Sequence, residues 1–448
     1  MRFRHALNAC TLALMCLSAS LVHAAEAPPV TETVLDNGLR ILVLEDHRSP
    51  IATVQTWYRV GSRNEIPGAT GLAHFLEHMM FKGTPTHGKG QFARIVEENG
   101  GQDNAFTSHD VTSYYVNIAA DRVDLVLGLE ADRMRNLLLD PREIESERQV
   151  VGEERRTRTE DDPDGYLSEE FLAAAYKAHP YGWPIIGWME DIQRINPTEL
   201  RAFYDRYYQP NNALLVVAGD VDTRRVIARA REAFGRIPRG AAPPPMDSVE
   251  PPQLAERRVL VHKADARAPI VYIGFHVPNH ASTDAPALEL LSTILQEGRA
   301  SRLYRSLVYE RRLALSIGGD YDYFSHDPNL FWFSGTPLPG QTHEALEQAI
   351  MAEIERVKNE PVPEEELERA KNQIEAAFVR HQDSVYSRAS SLARFELTGS
   401  WRNGESFVPL IRRVTAADLQ RVARAYFQTG RRTVGVLLPG APSAAAVK

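Results

Sequence analysis

The second half of this chain repeats the first. "LLLDPREIESERQVVGEE", residues 137–154, has a counterpart in "KNEPVPEEELERAKNQIEAA", residues 358–377. Aligning their Glu-Arg pairs sets Glu147 over Glu368 and Glu154 over Glu375. "NALLVVAGD" is likewise matched by "RTVGVLLPG" near the C-terminus. A chain of 448 residues is too long for one ordinary core. The duplication divides it into two related units of about two hundred residues each. Both mix strand and helix signals. "TETVLDNGLRILVLED" is two β-rich runs around Asp36-Asn37-Gly38, a type I′ hairpin signal, and "IATVQTWYRVGS" is a further strand. "NNALLVVAGDVD" reads as a buried strand and "TRRVIARAREAFGRI" as a helix. The fold class is therefore α+β, with a first domain over 30–238, a proline-rich linker over 239–253 and a second domain over 254–442.

The N-terminus reads as an export signal. A short basic start, "MRFRH", precedes the apolar run "ALNACTLALMCLSASLV" and then "VHAAEAPP", with Val22 and Ala24 at the −3 and −1 positions of a cleavage site. Residues 1–24 are thus expected to be removed, leaving a periplasmic protein without a stable membrane anchor; the run is short for a bilayer span. Both cysteines, Cys10 and Cys16, fall inside this segment. The mature chain then has no disulfide, no thiol nucleophile and no thiolate ligand. A formal charge of −8 with no Lys/Arg cluster argues against nucleic acid as a partner.

The chemistry begins at "GLAHFLEHMMFKG", Gly71 to Gly83. Thr70 is placed to cap a helix that stops at Gly83. His74 and His78 are four apart, so both imidazoles leave one face of that helix, and two neutral imidazoles at this spacing can grip one zinc ion. Glu77 sits on the rim of the same site, where it can accept a proton without being a ligand. Two core histidines bonded to backbone carbonyls are the bland alternative. The flanking Leu72, Phe75, Leu76, Met79 and Met80 are apolar, however, and imidazoles in a dry wall need a partner that a metal supplies.

An open zinc site needs a third protein ligand, and cysteine is excluded. The glutamate-rich stretch from Asp140 supplies candidates, and Asp140-Pro141 sets the helical register as cap and first residue. At about 100° per residue, Ile144, Val150 and Val151 mark the inward side, and Glu147 and Glu154 fall between the two valines. Glu143, Glu145 and Glu153 fit a solvated face. Two carboxylates on an apolar side call for cations. Glu154 is the expected third ligand, and Glu147 the carboxylate that orients a histidine or a water.

With these residues in place, the chain resembles the pitrilysin/insulinase family of metallopeptidases, the inverted zincins with HxxEH, in its short-chain bacterial processing-peptidase-like branch. "NGLRILVLED", "GLAHFLEHMMFKGT", "GGQDNAFTSHDVTSYYV", "ERQVVGEE" and "HPYGWPIIG" look like family segments in family order. The family's third ligand, a glutamate, falls on Glu154. The resemblance implies two homologous halves, each an antiparallel-rich sheet packed against helices, closing like a clamshell. It also implies a zinc endopeptidase with one Zn2+ per chain and Glu77 as general base. The strand at Asn104 and Ala105 would hold an extended peptide substrate by main-chain bonds. Aligning Gly298 with Gly83 puts Glu289, Ser292 and Thr293 where His74, Glu77 and His78 stand, so no second site is expected.

Active family members also use an arginine and, seven residues on, a tyrosine in the second half. Anchoring on "SRLYRSLVYERRLALSIGG" puts Val308 and Leu315 at those positions, and neither side chain donates a hydrogen bond. Arg302 and Tyr309 have the spacing in another register. The resemblance therefore implies a related zinc-less subunit that carries the pair and completes a heterodimer. A non-catalytic scaffold on the same fold, or a processing peptidase dedicated to one precursor, are the other readings.

Overall fold

A computed structural model of the chain describes residues 30–440; the expected signal segment and both cysteines lie outside the described residues. The first sheet holds β1 (Val30–Val34), β2 (Arg40–Glu45), β3 (Ile51–Tyr58), β4 (Gln102–Thr107), β5 (Thr112–Ala119) and β6 (Ala213–Gly219), in the order β1-β2-β6-β3-β5-β4. The second holds β7 (Arg257–Lys263), β8 (Ile270–Val277), β9 (Ala314–Tyr321), β10 (Asn329–Pro337) and β11 (Thr433–Pro439), in the order β7-β11-β8-β10-β9. Apart from the extra β1, the two orders are the same. In each half the last strand inserts between two others, parallel to one neighbour and antiparallel to the other. β6, "ALLVVAG", is buried along its whole length, which is why it reads as an uninterrupted apolar run.

The opening hairpin differs from the expected type I′ turn. Val34 pairs with Arg40, Leu35 N donates to Leu39 O and Gly38 N donates to Leu35 O. The loop is thus three residues long, with Gly38 at φ 89°. Its Asn37 is buried and donates to the carbonyls of Phe234 and Ile237, so a tertiary contact sets the turn.

Six helices matter for the site: α1 (Leu72–Met79), α2 (Pro141–Arg155), α3 (Pro163–Ala175), α4 (Ala285–Gln296), α5 (Glu364–His381) and α6 (Val385–Thr398). Each sheet covers its own hydrophobic core with helices on one face. The other faces are covered reciprocally. Ala389, Ala393 and Leu397 of α6 pack on Leu42, Trp57 and Val216 of the first sheet. Leu167 and Phe171 of α3 pack with Tyr272 and Leu437 of the second. A Cβ at Gly274 would lie 2.6 Å from Phe171 Cζ, so this close approach requires glycine. Polar contacts reinforce the junction: Arg388 Nη1 donates to Asp46 at 2.6 Å and Gln55 Nε2 to the Tyr386 carbonyl at 3.1 Å. The chain is an α+β clamshell of two duplicated halves, each lending one helix to the other's sheet.

Candidate metal centre

The helix bearing the histidines is fixed at its N-terminus by groups from elsewhere in the sequence. Thr70 is not its cap. Its hydroxyl donates to Asp191 at 2.7 Å, and the cap position falls to Gly71 at φ 85°. The exposed N–H groups of the first turn are taken by Glu65, which accepts from Gly71 N at 2.8 Å and Ala73 N at 2.7 Å. Burial pushes the Glu65 carboxyl up to about 8, against the pull of these two bonds. The "HPYGWPIIG" segment adds a steric clamp: a Cβ on Gly187 would come within 2.6 Å of Gly71. α1 ends at Met79, before the expected stop at Gly83. Leu72, Phe75, Leu76 and Met79 face the core.

α2 starts as expected, with Asp140 accepting from Arg142 N at 2.8 Å and Pro141 in its first turn. Its buried face differs in detail. Ile144, Glu147, Val151, Gly152 and Arg155 are buried, whereas Val150 is 49% exposed. The inward face is therefore centred on the Glu147–Val151 side, because Arg155 turns in to bond Glu169 and the Gly187 carbonyl. Glu154 reaches the site from the edge of that face, with a side chain 18% exposed.

His74, His78 and Glu154 each offer one ligand atom, and these atoms lie within 4.8 Å of one another. Glu154 Oε2 is 3.3 Å from His78 Nε2 and 3.8 Å from His74 Nε2. Donors on a tetrahedral ion with bonds of about 2.1 Å stand about 3.4 Å apart, so the set fits zinc in distance and in ligand type. His78 Nδ1 lies 2.9 Å from Glu147 Oε1, a bond that places the proton on Nδ1 and leaves the Nε2 lone pair for a metal. His74 Nδ1 is buried without a hydrogen-bond partner, and two imidazole nitrogens and a carboxylate oxygen converging here suit a cation. Lys82 Nζ pairs with the other oxygen of Glu147.

Electrostatics separates the two imidazoles. Burial, then the neighbouring His78, pushes His74 down to about 4, which keeps it neutral. Burial also opposes charge on His78, but the bonds to Glu147 and Glu154 lift it to about 9 in the metal-free chain. Burial raises the Glu77 carboxyl, while a 2.5 Å bond from the Thr107 hydroxyl to its Oε2 partly offsets this. Thr107 ends β4, the free edge of the first sheet, paired only with β5. On that edge Asn104 is exposed, and its Oδ1 accepts from Ala105 N at 2.8 Å.

In the second half, α4 carries Glu289, Ser292 and Thr293, and no further metal cluster occurs among the described residues. Glu368 and Glu375 are spent on Arg412. Val308 packs against the second core and Leu315 is 60% exposed on β9. Arg302 is committed to Glu366, with Nη2 to Oε2 at 2.7 Å, and Tyr309 is 77% exposed. Sequence reasoning missed Glu65, Lys82, Thr107 and Arg158. Lys82, one further turn along the histidine face, and Arg158, four residues beyond Glu154, had a local signal.

The family description Insulinase (Peptidase family M16) matches residues 40–188, and Peptidase M16 inactive domain matches residues 194–374. The zinc protease PqqE of Helicobacter pylori is 35% identical over 436 residues, covering 95% of this chain and 96% of that one. The chain belongs to peptidase family M16. A crystal structure of a protease from Helicobacter pylori superposes on this M16 chain with a TM-score of 0.90 at 34% identity, over 92% of this chain and 100% of the other. The periplasmic protease PqqL from Escherichia coli shares the M16 fold, with a TM-score of 0.76 at 21% identity, over 94% of this chain and 50% of that one.

Proposed function

We propose that this M16 protein is a zinc-dependent endopeptidase that hydrolyses extended peptides or small unfolded proteins after export. The observation that carries the reading is the convergence of two imidazole nitrogens and one carboxylate oxygen at 3.3–3.8 Å, with Glu77 beside them. His74, His78 and Glu154 hold one zinc per chain, and Glu147 aims the His78 ring. Zinc bound there supplies Lewis acidity and brings the pKa of a water towards neutrality. Glu77 takes the proton of the attacking water and hands it to the leaving amine, a role that suits a carboxyl raised by burial. Thr107 fixes one oxygen of Glu77 and leaves the other to act. The open edge of β4 at Asn104 and Ala105 receives the substrate as an added strand, with affinity from main-chain bonds.

Export rests on the signal-like residues 1–24. No helix among the described residues is long and apolar enough to cross a membrane. The active assembly, on this reading, is a heterodimer with a related zinc-less chain. Its support is the pair of apolar residues, Val308 and Leu315, together with the engagement of Arg302 by Glu366. The test is zinc content and peptide cleavage of the purified chain, with and without such a relative. One zinc per chain and cleavage that rises sharply on addition of the relative are expected. No zinc favours a scaffold, and full activity alone, unchanged by Arg302→Ala with Tyr309→Phe, removes the need for a partner.

A further inference from the structure

We infer that Arg158 is a positioning residue of the metal centre, fixing which oxygen of Glu154 faces the two imidazoles; this rests on the zinc reading above. The stretch "ERRTR" places three arginines within one turn and a half of Glu154, and they diverge. Arg155 turns inward to Glu169 at 2.7 Å, and Arg156 turns outward to Glu153 at 2.8 Å. Arg158 alone turns to the site, with Nη1 2.8 Å from Glu154 Oε1.

Two features set this contact apart from an ordinary surface ion pair. Its backbone is pinned although its side chain is 74% exposed. It lies in a π-helical turn, Arg156–Glu160, closed by Asp161 N bonding to Arg156 O at 2.7 Å. Helix α3 then approaches so closely that a Cβ on Gly165 would stand 2.1 Å from the Arg158 carbonyl oxygen. The second feature is complementarity within the donor set. Glu147 holds the far nitrogen of His78, and Arg158 holds the far oxygen of Glu154. With Oε1 occupied by a guanidinium, the carboxylate presents Oε2 alone to both Nε2 atoms. Without Arg158 the carboxylate can rotate, offer both oxygens, or bond one imidazole in place of a metal. Partners outside the ligand set typically matter by 10–100-fold in metal affinity or activity. An exposed i,i+4 pair, in contrast, contributes little to folding.

The experiment measures zinc affinity by chelator competition, and unfolding of the metal-free protein, in the full chain, Arg158→Ala and Arg158→Lys. Arg158→Ala is expected to weaken zinc about tenfold or more with unchanged metal-free Tm. Arg158→Lys is expected to recover part of the loss, since a point charge replaces the fork. Affinity in Arg158→Ala within about twofold of the parent overturns the inference, as does a lysine variant no better than alanine. A raised KM for peptide with unchanged zinc affinity overturns it too, in favour of direct substrate contact. Absence of zinc binding in the parent chain overturns the metal reading itself, and this inference with it.

Discussion

Glu147→Gln tests how the second imidazole is aimed. Glu147 is 4% exposed; Oε1 lies 2.9 Å from His78 Nδ1 and its other oxygen meets Lys82. Glutamine keeps the volume and one oxygen for the imidazole N–H, so the ring stays in place while the charge is lost. A hydrogen bond to a charged group contributes about 1.5–3 kcal/mol net and a neutral one about 0.5–1.5. The difference, about 1–1.5 kcal/mol, corresponds to about tenfold in an equilibrium that depends on the donor strength of His78. Lys82 is 19% exposed and reaches solvent, so the global stability cost stays near 1 kcal/mol. Chelator competition should therefore show zinc bound about tenfold more weakly. Cleavage should fall at limiting zinc and recover when zinc is in excess. Affinity within twofold of the parent would refute the reasoning. So would a stability loss of several kcal/mol with unchanged affinity, which would make Glu147 a carboxylate of the fold.

Two further outcomes follow from the structure. Glu65 has its folded-state carboxyl raised from about 4.5 to about 8, so the folded state holds its proton longer than the unfolded one. The contribution of Glu65 to stability is then largest below about pH 4.5 and is lost as pH rises towards about 8. Glu65→Gln should lack this slope, so the difference between the parent and variant Tm-against-pH curves should carry it and fall as pH rises from about 4.5 towards about 8. Ala105→Pro removes the β4 N–H that donates to the Asn104 side-chain oxygen at the free edge. KM for unstructured peptides should rise by roughly three- to tenfold, as for one lost hydrogen bond, with a smaller change in kcat.

What could be read from the sequence was local, and what could not was mostly tertiary. Four-residue spacing put His74 and His78 on one side of α1, and Asp140-Pro141 fixed the register that carries Glu147 and Glu154 inward. The same wheel placed Val150 inside, because nothing local says that Arg155 will bury itself against Glu169. Thr70 looked like a cap until Asp191, far along the chain, took its hydroxyl and Glu65 took the helix N–H groups. The Asn37-Gly38 signal gave a hairpin but not its length, since Asn37 is drawn to Phe234 and Ile237. The duplication was visible in two short stretches. The insertion of β6 and β11 between earlier strands, and the exchange of α3 and α6, depend on long-range pairing that no short stretch encodes.

The most direct test of the zinc-peptidase account is Glu77→Gln, with zinc content and peptide turnover measured on one preparation together with whatever partner the parent chain requires. Glu77 is no ligand in this arrangement, so zinc should remain at one per chain. Turnover should fall by about a thousandfold, within the range of general acid–base catalysis. Turnover within tenfold of the parent, with zinc still bound, would contradict the account.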